Sequence, residues 1–394
     1  MNSQQVIEAE NLYGSGVYGH QPIVLVRGEG ARLWDADDRV YIDCMSGHGV
    51  VNVGHAHPAV VEAITEQAGK LWICPNGFYN DRRAELMEAL VRITPDGLDR
   101  VFLCNSGTEA VEGALKFARV ATGRTKIIAA MRSYHGRTMG ALSATWNKAY
   151  REPFAPLVPD VAFVPYNRIA AMEKAIDAST AAVILEVVQG EGGVIPGDGK
   201  YLRAVQELCH RSGALLILDE VQTGFGRTGA MFACLHHGLK PDLFCTAKAI
   251  AGGFPMGAVL IGPRVGPLPS RVHSSTFGGN PLACAVAAAS IRAIEEDDLP
   301  GRAARLGQRL RRGLEAIDSP LIREVRGLGL MLAVELKEPS FPILAALAER
   351  GVLALPAGKM VLRFLPPLVI SEEQVDAVID AVGTVLTSRE VDHG

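Results

Sequence analysis

The chain has 394 residues, 48% hydrophobic and 21% charged, which is enough to bury a sizeable core and too much for most single-core folds. Lys+Arg 39 against Asp+Glu 43 leaves a formal net charge of -4, so no uniform field exists to hold a polyanion and a nucleic-acid partner is not expected. The 42 glycines exceed the usual share of about 7%, but they lie between apolar runs, which excludes a collagen-like or disordered chain.

In chain order, MNSQQVIEAENLYG lacks the basic stretch and apolar core of a signal peptide, and no run approaches the length of a membrane span. A cytoplasmic protein without a membrane partner is the expectation. Residues 23 to 43 alternate apolar and polar positions around the turn DADD, predicting a small antiparallel sheet. From about 59 the pattern changes to helices (AVVEAITEQAGKL, RAELMEALVRI) and then to strands alternating with helices: VFLCN, TEAVEGALKFARVATG, KIIAAM, FVPY, AAVILEVV, YLRAVQELCHRSG, ALLILDEV, DLFCTA and GAVLIG. Such alternation predicts an α/β fold with a mostly parallel sheet covered on both faces. After PLACAVAAASIRAIEEDD, an arginine-rich helix leads to GLGLMLAVEL, a further helix, VLRFLPP and a terminal helix from about 371. The division expected is a large domain at 51–295 and a smaller α/β domain at 296–394, with residues 1–50 packing against the smaller one. The final SREVDHG is expected to fray.

Seven widely spaced cysteines form no CxxC, so neither a disulfide scaffold nor a structural zinc site is indicated. GSGVYG at 14–19 and GFGRTG at 224–229 satisfy GxGxxG, but the first has no preceding strand and the second is set apart from its strand by residues 219–223. His55 with His57, and His236 with His237, are pairs without a complete ligand set, so no metal is expected.

Three segments carry candidate chemistry. In CNSGTEAVEG, Ser106 can cap a helix while Glu109 returns to its amide, leaving Gly107 and Thr108 in the first turn. Free amides and the positive helix end there would seat a phosphate, although an ordinary capped helix carries the same residues. In ALLILDEV, the apolar run ends in Asp219 and Glu220, where ligands collect at the carboxyl ends of parallel strands; a helix cap or a metal carboxylate would look alike. In CTAKAIAGG, Lys248 lies among apolar residues, which would depress its pKa and ready its amine for an aldehyde, unless it merely snorkels from a helix end. A phosphate seat, an Asp at a strand end and a desolvated lysine together match the needs of pyridoxal 5′-phosphate: an anchor, a Schiff-base amine and a partner for the pyridine nitrogen.

The motifs GHAHP, NSGTEA, YHGRT, VVQGEGG, LDEVQTGFGRTG, PDLFCTAKAIAGGFPMGA, STFGGNPLA and LRFLPPL, in this order over nearly the whole chain, resemble the class III aminotransferases of PLP fold type I, in particular the acetylornithine aminotransferase branch. Within it, YIDC, AAMRSYHGRTMGALSATW, KAYREPF and LALPAG are most similar to the subgroup acting on lysine or ornithine linked to an amino-group carrier protein. The resemblance implies a large PLP-binding domain and a smaller α/β domain. It makes Lys248 the Schiff-base lysine and Asp219 the partner of the pyridine nitrogen, and it places Gln222 near the phenolic oxygen. Ser106, Gly107 and Thr108 fall at the phosphate, Tyr134 stacks on the ring and His135 lies nearby. Thr276 would reach the phosphate of a neighbouring subunit, implying a homodimer with active sites at the interface. Arg363 would grip the α-carboxylate of glutamate or 2-oxoglutarate, Arg137 would meet a second carboxylate, and Glu191 would pair with Arg363 when a terminal amine is bound. Glu186 opens the same signature, with Val187 where the family commonly has proline. The implied reaction moves the terminal amine of a carrier-linked or acetylated diamino acid to 2-oxoglutarate in a two-step cycle, as part of lysine or arginine biosynthesis. Another PLP class, such as a racemase or mutase, could retain Lys248 and Asp219. An acidic carrier would call for basic residues at the active-site mouth.

Overall fold

The computed structural model describes residues 1–388, so the fraying expected of the final SREVDHG lies, apart from Ser388, outside the described residues. A helix at Ser3–Tyr13 opens the chain, begun by a capping box between Asn2 and Gln5. Three short strands follow, Leu25–Glu29, Arg32–Asp35 and Val40–Asp43, antiparallel as the alternation predicted. A fourth strand of this sheet comes from the far end of the chain: Val352–Leu353 pairs in parallel with Ile42 and Asp43.

At the centre stands a seven-stranded sheet. In spatial order its strands are Arg100–Cys104, Gly257–Ile261, Leu243–Thr246, Leu215–Asp219, Thr180–Glu186, Lys126–Ala130 and Val161–Val164. Only Gly257–Ile261 runs against its neighbours, so the other six point the same way and end on one edge. The middle strands are buried at every position, which explains why they read as unbroken apolar runs. Two apolar layers cover the sheet. One contains the helix Gly107–Thr122 through Ala110, Val111, Ala114 and Phe117; the other contains Leu202, Val205 and Cys209 of the helix Gly199–Ser212. Burial at this scale is the main stabilising contribution.

After the largely buried helix Pro281–Glu296 and the amphipathic helix Leu299–Glu315, a four-stranded sheet forms from Ile322–Leu328, Met331–Leu336, Val361–Phe364 and Leu355–Pro356. It is antiparallel throughout, flanked by the helices Phe341–Glu349 and Glu372–Thr387. Arg227, from the GFGRTG segment, ties these parts together: fully buried, it donates to the carbonyls of Leu330 and Pro366 and to Asn52 Oδ1. The glycine motif is thus a structural corner. All seven cysteines are free. Among the described residues no helix is long and apolar enough to cross a membrane, and no cluster of His, Cys, Asp or Glu is placed to hold a metal ion.

Candidate active site

The shared strand edge assembles the site. Cys104 is followed by Ser106 and the helix Gly107–Thr122, and Ala130 by the segment carrying Tyr134 and His135; Thr246 is followed by Lys248. Glu186 and Asp219 are the last residues of two strands that pair in register, so their side chains stand side by side. These segments line a cavity of about 240 Å³ containing Gly107, Thr108, Tyr134, His135, Arg137, Glu186, Glu191, Asp219, Gln222 and Lys248. A cavity at the carboxyl ends of parallel strands is where an α/β sheet presents ligand-binding groups.

Ser106 caps its helix as expected, its Oγ accepting from Glu109 N at 3.3 Å. The reciprocal bond is shifted by one residue: Glu109 Oε2 accepts from the amide of Asn105 at 2.7 Å rather than from that of Ser106. Gly107 and Thr108 are left at the cavity with the helix start open toward it. Thr108 Oγ1 lies 2.7 Å from Thr138 Oγ1 and accepts from Thr138 N at 3.2 Å. Gly136 sits against it with φ 137°; a Cβ there would fall 2.3 Å from Thr108 Oγ1, so only glycine leaves the hydroxyl its place.

Asp219 is buried, with Oδ2 2.7 Å from His135 Nδ1 and Oδ1 accepting from Val221 N at 3.0 Å. Burial alone would lower the pKa of His135, but the hydrogen bond and charge of Asp219 outweigh it and raise it. Burial also pushes Glu186 up to about 7, despite the opposing charge of His135. Both Glu186 oxygens are engaged: Oε1 accepts from Tyr134 N and Oε2 from Gly190 N, each at 3.0 Å. Lys248 has φ 48°, a left-handed conformation uncommon for a residue with a side chain and of the kind that persists where the surroundings enforce it. Removal of its amine from water lowers its pKa; the charge of Glu191 opposes the shift and that of Arg363 adds to it.

Arg363 enters from the small sheet, nearly fully buried. Its Nη1 donates to Glu191 Oε1 at 2.5 Å and to Gln222 Oε1 at 3.3 Å. Burial would raise the carboxyl of Glu191, yet the Arg363 charge holds it below the ordinary glutamate range. Arg137 is exposed, its guanidinium 3.5 Å from the Tyr150 ring centroid and its Nε 3.3 Å from Tyr134 Oη. Of the residues singled out from the sequence, Ser106 and Arg363 stand behind the lining, next to Gly107 and bonded to Glu191, and Thr276 stays apart. It is exposed and does not line the cavity.

Two residues near the cavity receive no role from the sequence, where Glu186 figures only as the opening of its signature and His48 not at all. Glu186 ends an apolar run just as Asp219 does, a signal that was available. His48 has no such signal: it belongs to a run, Ser46 to Gly49, in which every φ is positive, and burial together with the charges of Arg363 and Lys248 lowers its pKa while Glu191 opposes them. His55 is held by the buried carboxylate of Asp43, its Nε2 2.7 Å from Oδ2.

The chain matches the family Aminotransferase class-III over residues 13–386 and belongs to it. It is similar to [LysW]-aminoadipate semialdehyde transaminase of Deinococcus radiodurans, 50% identical over 98% of this chain and 91% of that one. It is 47% identical to acetylornithine aminotransferase of Methanothermobacter thermautotrophicus, over 98% and 100% of the two chains. Among solved structures, ornithine aminotransferase from Toxoplasma gondii, crystallized in the presence of oxidized glutathione and with PLP partly occupying its active site, superposes with a TM-score of 0.94 at 34% identity, covering 98% of this chain and 94% of that one. Acetylornithine aminotransferase from Elizabethkingia anophelis superposes with a TM-score of 0.87 at 36% identity, over 99% and 100% of the chains. The chain is therefore a pyridoxal phosphate-dependent transaminase with the PLP fold type I architecture.

Proposed function

We propose that the enzyme transfers the terminal amino group of a blocked diamino acid, an L-lysine or L-ornithine joined through its α-amine to a carrier protein, to 2-oxoglutarate, giving a semialdehyde and L-glutamate. The observation that carries this reading is the Glu191–Arg363 pair, 2.5 Å apart at the cavity. With Glu191 on Arg363 the site has no free cation there, which suits a donor entering amine first. With Glu191 withdrawn, the arginine fork is free for the α-carboxylate of glutamate or 2-oxoglutarate.

The donor set fits pyridoxal phosphate. Lys248 offers a desolvated amine for its aldehyde, Asp219 a carboxylate held by His135 for its pyridine nitrogen, and Ser106, Gly107 and Thr108 an open helix start for its phosphate. Tyr134 would lie on the ring and Gln222 near the phenolic oxygen. When bound, the cofactor supplies the electron sink and holds the amino group between the two halves of the cycle. Lys248 Nζ then takes the proton from the substrate carbon bearing the amine, a role matched to an amine with a lowered pKa. Asp219 would face the pyridine nitrogen, and Arg137 would meet a distal carboxylate.

We read the assembly as a homodimer in which Thr276 of one subunit reaches the phosphate site of the other, consistent with its exposure here. We read the chain as a large domain at 51–295 and a small one at 296–394 with residues 1–50; the pairing of Ile42 with Val352 supports this. A cytoplasmic enzyme of lysine or arginine biosynthesis is the corresponding setting, with an acidic carrier meeting basic residues at the mouth.

The name of the Deinococcus radiodurans relative favours the carrier conjugate; that of the Methanothermobacter thermautotrophicus relative favours N2-acetylornithine. Matched kinetics on both decide. Efficient turnover of N2-acetylornithine with none of the carrier conjugate would overturn the preferred substrate. Failure to form glutamate from 2-oxoglutarate with either donor would overturn terminal-amine transfer to 2-oxoglutarate.

A further inference from the structure

The loop bearing Glu191 is anchored on both sides. Before it, Gln189 Nε2 donates to the carbonyl of Met131 at 2.9 Å, and Gly190 N to Glu186 Oε2 at 3.0 Å. After it, Arg326 Nε donates to the carbonyl of Gly193 at 2.9 Å. Between these anchors only Glu191 carries a side chain. Gly190 is itself pressed on the site: a Cβ there would lie 2.1 Å from Gln222 Oε1. The anchor at Gly190 is unlike the others, because Glu186 also accepts, through its second oxygen, the amide of Tyr134 at 3.0 Å. One carboxylate thus joins the residue that begins the Glu191 loop to the residue on the cofactor side of the cavity. The joint is stiff at its base too, since Glu186 ends a strand hydrogen-bonded in register to the one that ends in Asp219, and its own carbonyl accepts from Tyr166 Oη at 2.7 Å.

We infer that Glu186 is a positioning residue for the two-substrate switch: its carboxylate fixes Gly190 relative to Tyr134, so that Glu191 reaches Arg363 in the state that receives a terminal amine. The inference rests on the reading of Glu191 and Arg363 given above. Glu186 touches neither substrate in that reading; it acts through the loop. Cutting the clasp frees the loop, weakens the hold of Glu191 on Arg363 and leaves the arginine more available to an α-carboxylate. The half-reaction with glutamate is then favoured relative to that with a terminal amine.

Glu186→Gln cuts the clasp with little change of shape. The amide offers one acceptor oxygen, and whichever way it lies, one of the two backbone N–H groups faces a donor. The test is single-turnover kinetics of the holoenzyme with L-glutamate and, separately, with the better of N2-acetyl-L-ornithine and the carrier conjugate, read from the cofactor's absorbance. The expected result is a rise of about tenfold in the ratio of apparent second-order rate constants, glutamate over terminal amine, with the thermal midpoint and cofactor content retained. An equal fall in both constants would reduce Glu186 to a structural role and overturn the inference. Glu186→Asp, which keeps the charge but is too short to span both amides, should move the ratio in the same direction if the glutamine variant does not fold; a wild-type ratio in that variant overturns the inference as well. Glu191→Ala separates the two readings. If it raises the ratio while neither Glu186 variant does, the clasp is wrong and the switch stands. If it leaves the ratio unchanged, the switch reading fails and takes the clasp with it.

Discussion

His135 Nδ1 and Asp219 Oδ2 lie 2.7 Å apart, both side chains shielded from water, while the other ring nitrogen of His135 has no hydrogen-bond partner in the protein. His135 holds Oδ2 and the amide of Val221 holds Oδ1, so the carboxylate that lines the cavity is fixed at both oxygens and presents its negative charge there.

Asp219→Asn keeps the shape and removes that charge. It is expected to slow both half-reactions by about 100-fold or more, the scale found when one preorganised electrostatic partner is removed, without unfolding the chain. His135→Ala should weaken cofactor retention on dialysis and slow transamination less, by roughly tenfold, because it acts only through Asp219. Since the pKa of His135 is raised in the folded state, the pair's contribution to stability is fully present below the ordinary histidine value and is lost as pH rises through the raised one. Thermal midpoints of wild type and His135→Ala should therefore converge toward alkaline pH.

Lys248 provides a second pH signature. Desolvation lowers its pKa, so in the apoenzyme a larger share of the amine is uncharged at neutral pH than for a free lysine. Recapture of pyridoxal phosphate, followed by absorbance, should speed up with rising pH and level off below the ordinary lysine value of about 10.4. Lys248→Ala should show no covalent cofactor absorbance at any pH, and borohydride should leave no pyridoxyl group on its peptide.

Arg363→Lys retains the charge but loses the planar fork. The apparent KM for 2-oxoglutarate should rise by about tenfold or more, with a smaller change for the terminal-amine donor. Because Arg363 depresses the pKa of Glu191, the pair persists through the neutral range. Its contribution to stability is present above the ordinary glutamate value and disappears as pH falls through the depressed one.

Gly136→Ala tests the phosphate side. The added methyl would collide with Thr108, as its Cβ would fall 2.3 Å from Oγ1, on a backbone at φ 137° that side chains rarely adopt. The variant should bind pyridoxal phosphate at least about tenfold more weakly in equilibrium titration, a loss of the size expected when a charge-assisted hydrogen bond is displaced. An unchanged affinity would show that Thr108 takes no part in holding the phosphate.

Much of this arrangement was legible in the amino-acid order because its parts follow local rules. Asp219 and Lys248 stand just where apolar strands give way to turns, and Ser106 announces its helix by a capping pattern. Other features depend on what the chain brings together from a distance. The return bond of Glu109 goes to Asn105 because the turn geometry, not the spacing, decides which amide faces it. Glu186 reads as one more residue of a strand until its two amide partners, 52 and 4 residues away, are known. His48 reaches the neighbourhood of Arg363 only through four consecutive residues of positive φ, a run that single-residue propensities do not announce. Arg227 likewise sits in a motif that suggests phosphate binding, and its real partners lie in Asn52, Leu330 and Pro366.

The pairing of Val40–Asp43 with Val352–Leu353 bears on how the chain is born. The first three strands leave the ribosome some three hundred residues ahead of the one that completes their sheet, and they wait with an unpaired edge while the seven-stranded core is made. An edge left open for that long invites pairing with other nascent chains. Truncation before Val352 should consequently yield an insoluble product even though every strand of the large sheet is present, and release of full-length chains should be the event after which solubility appears.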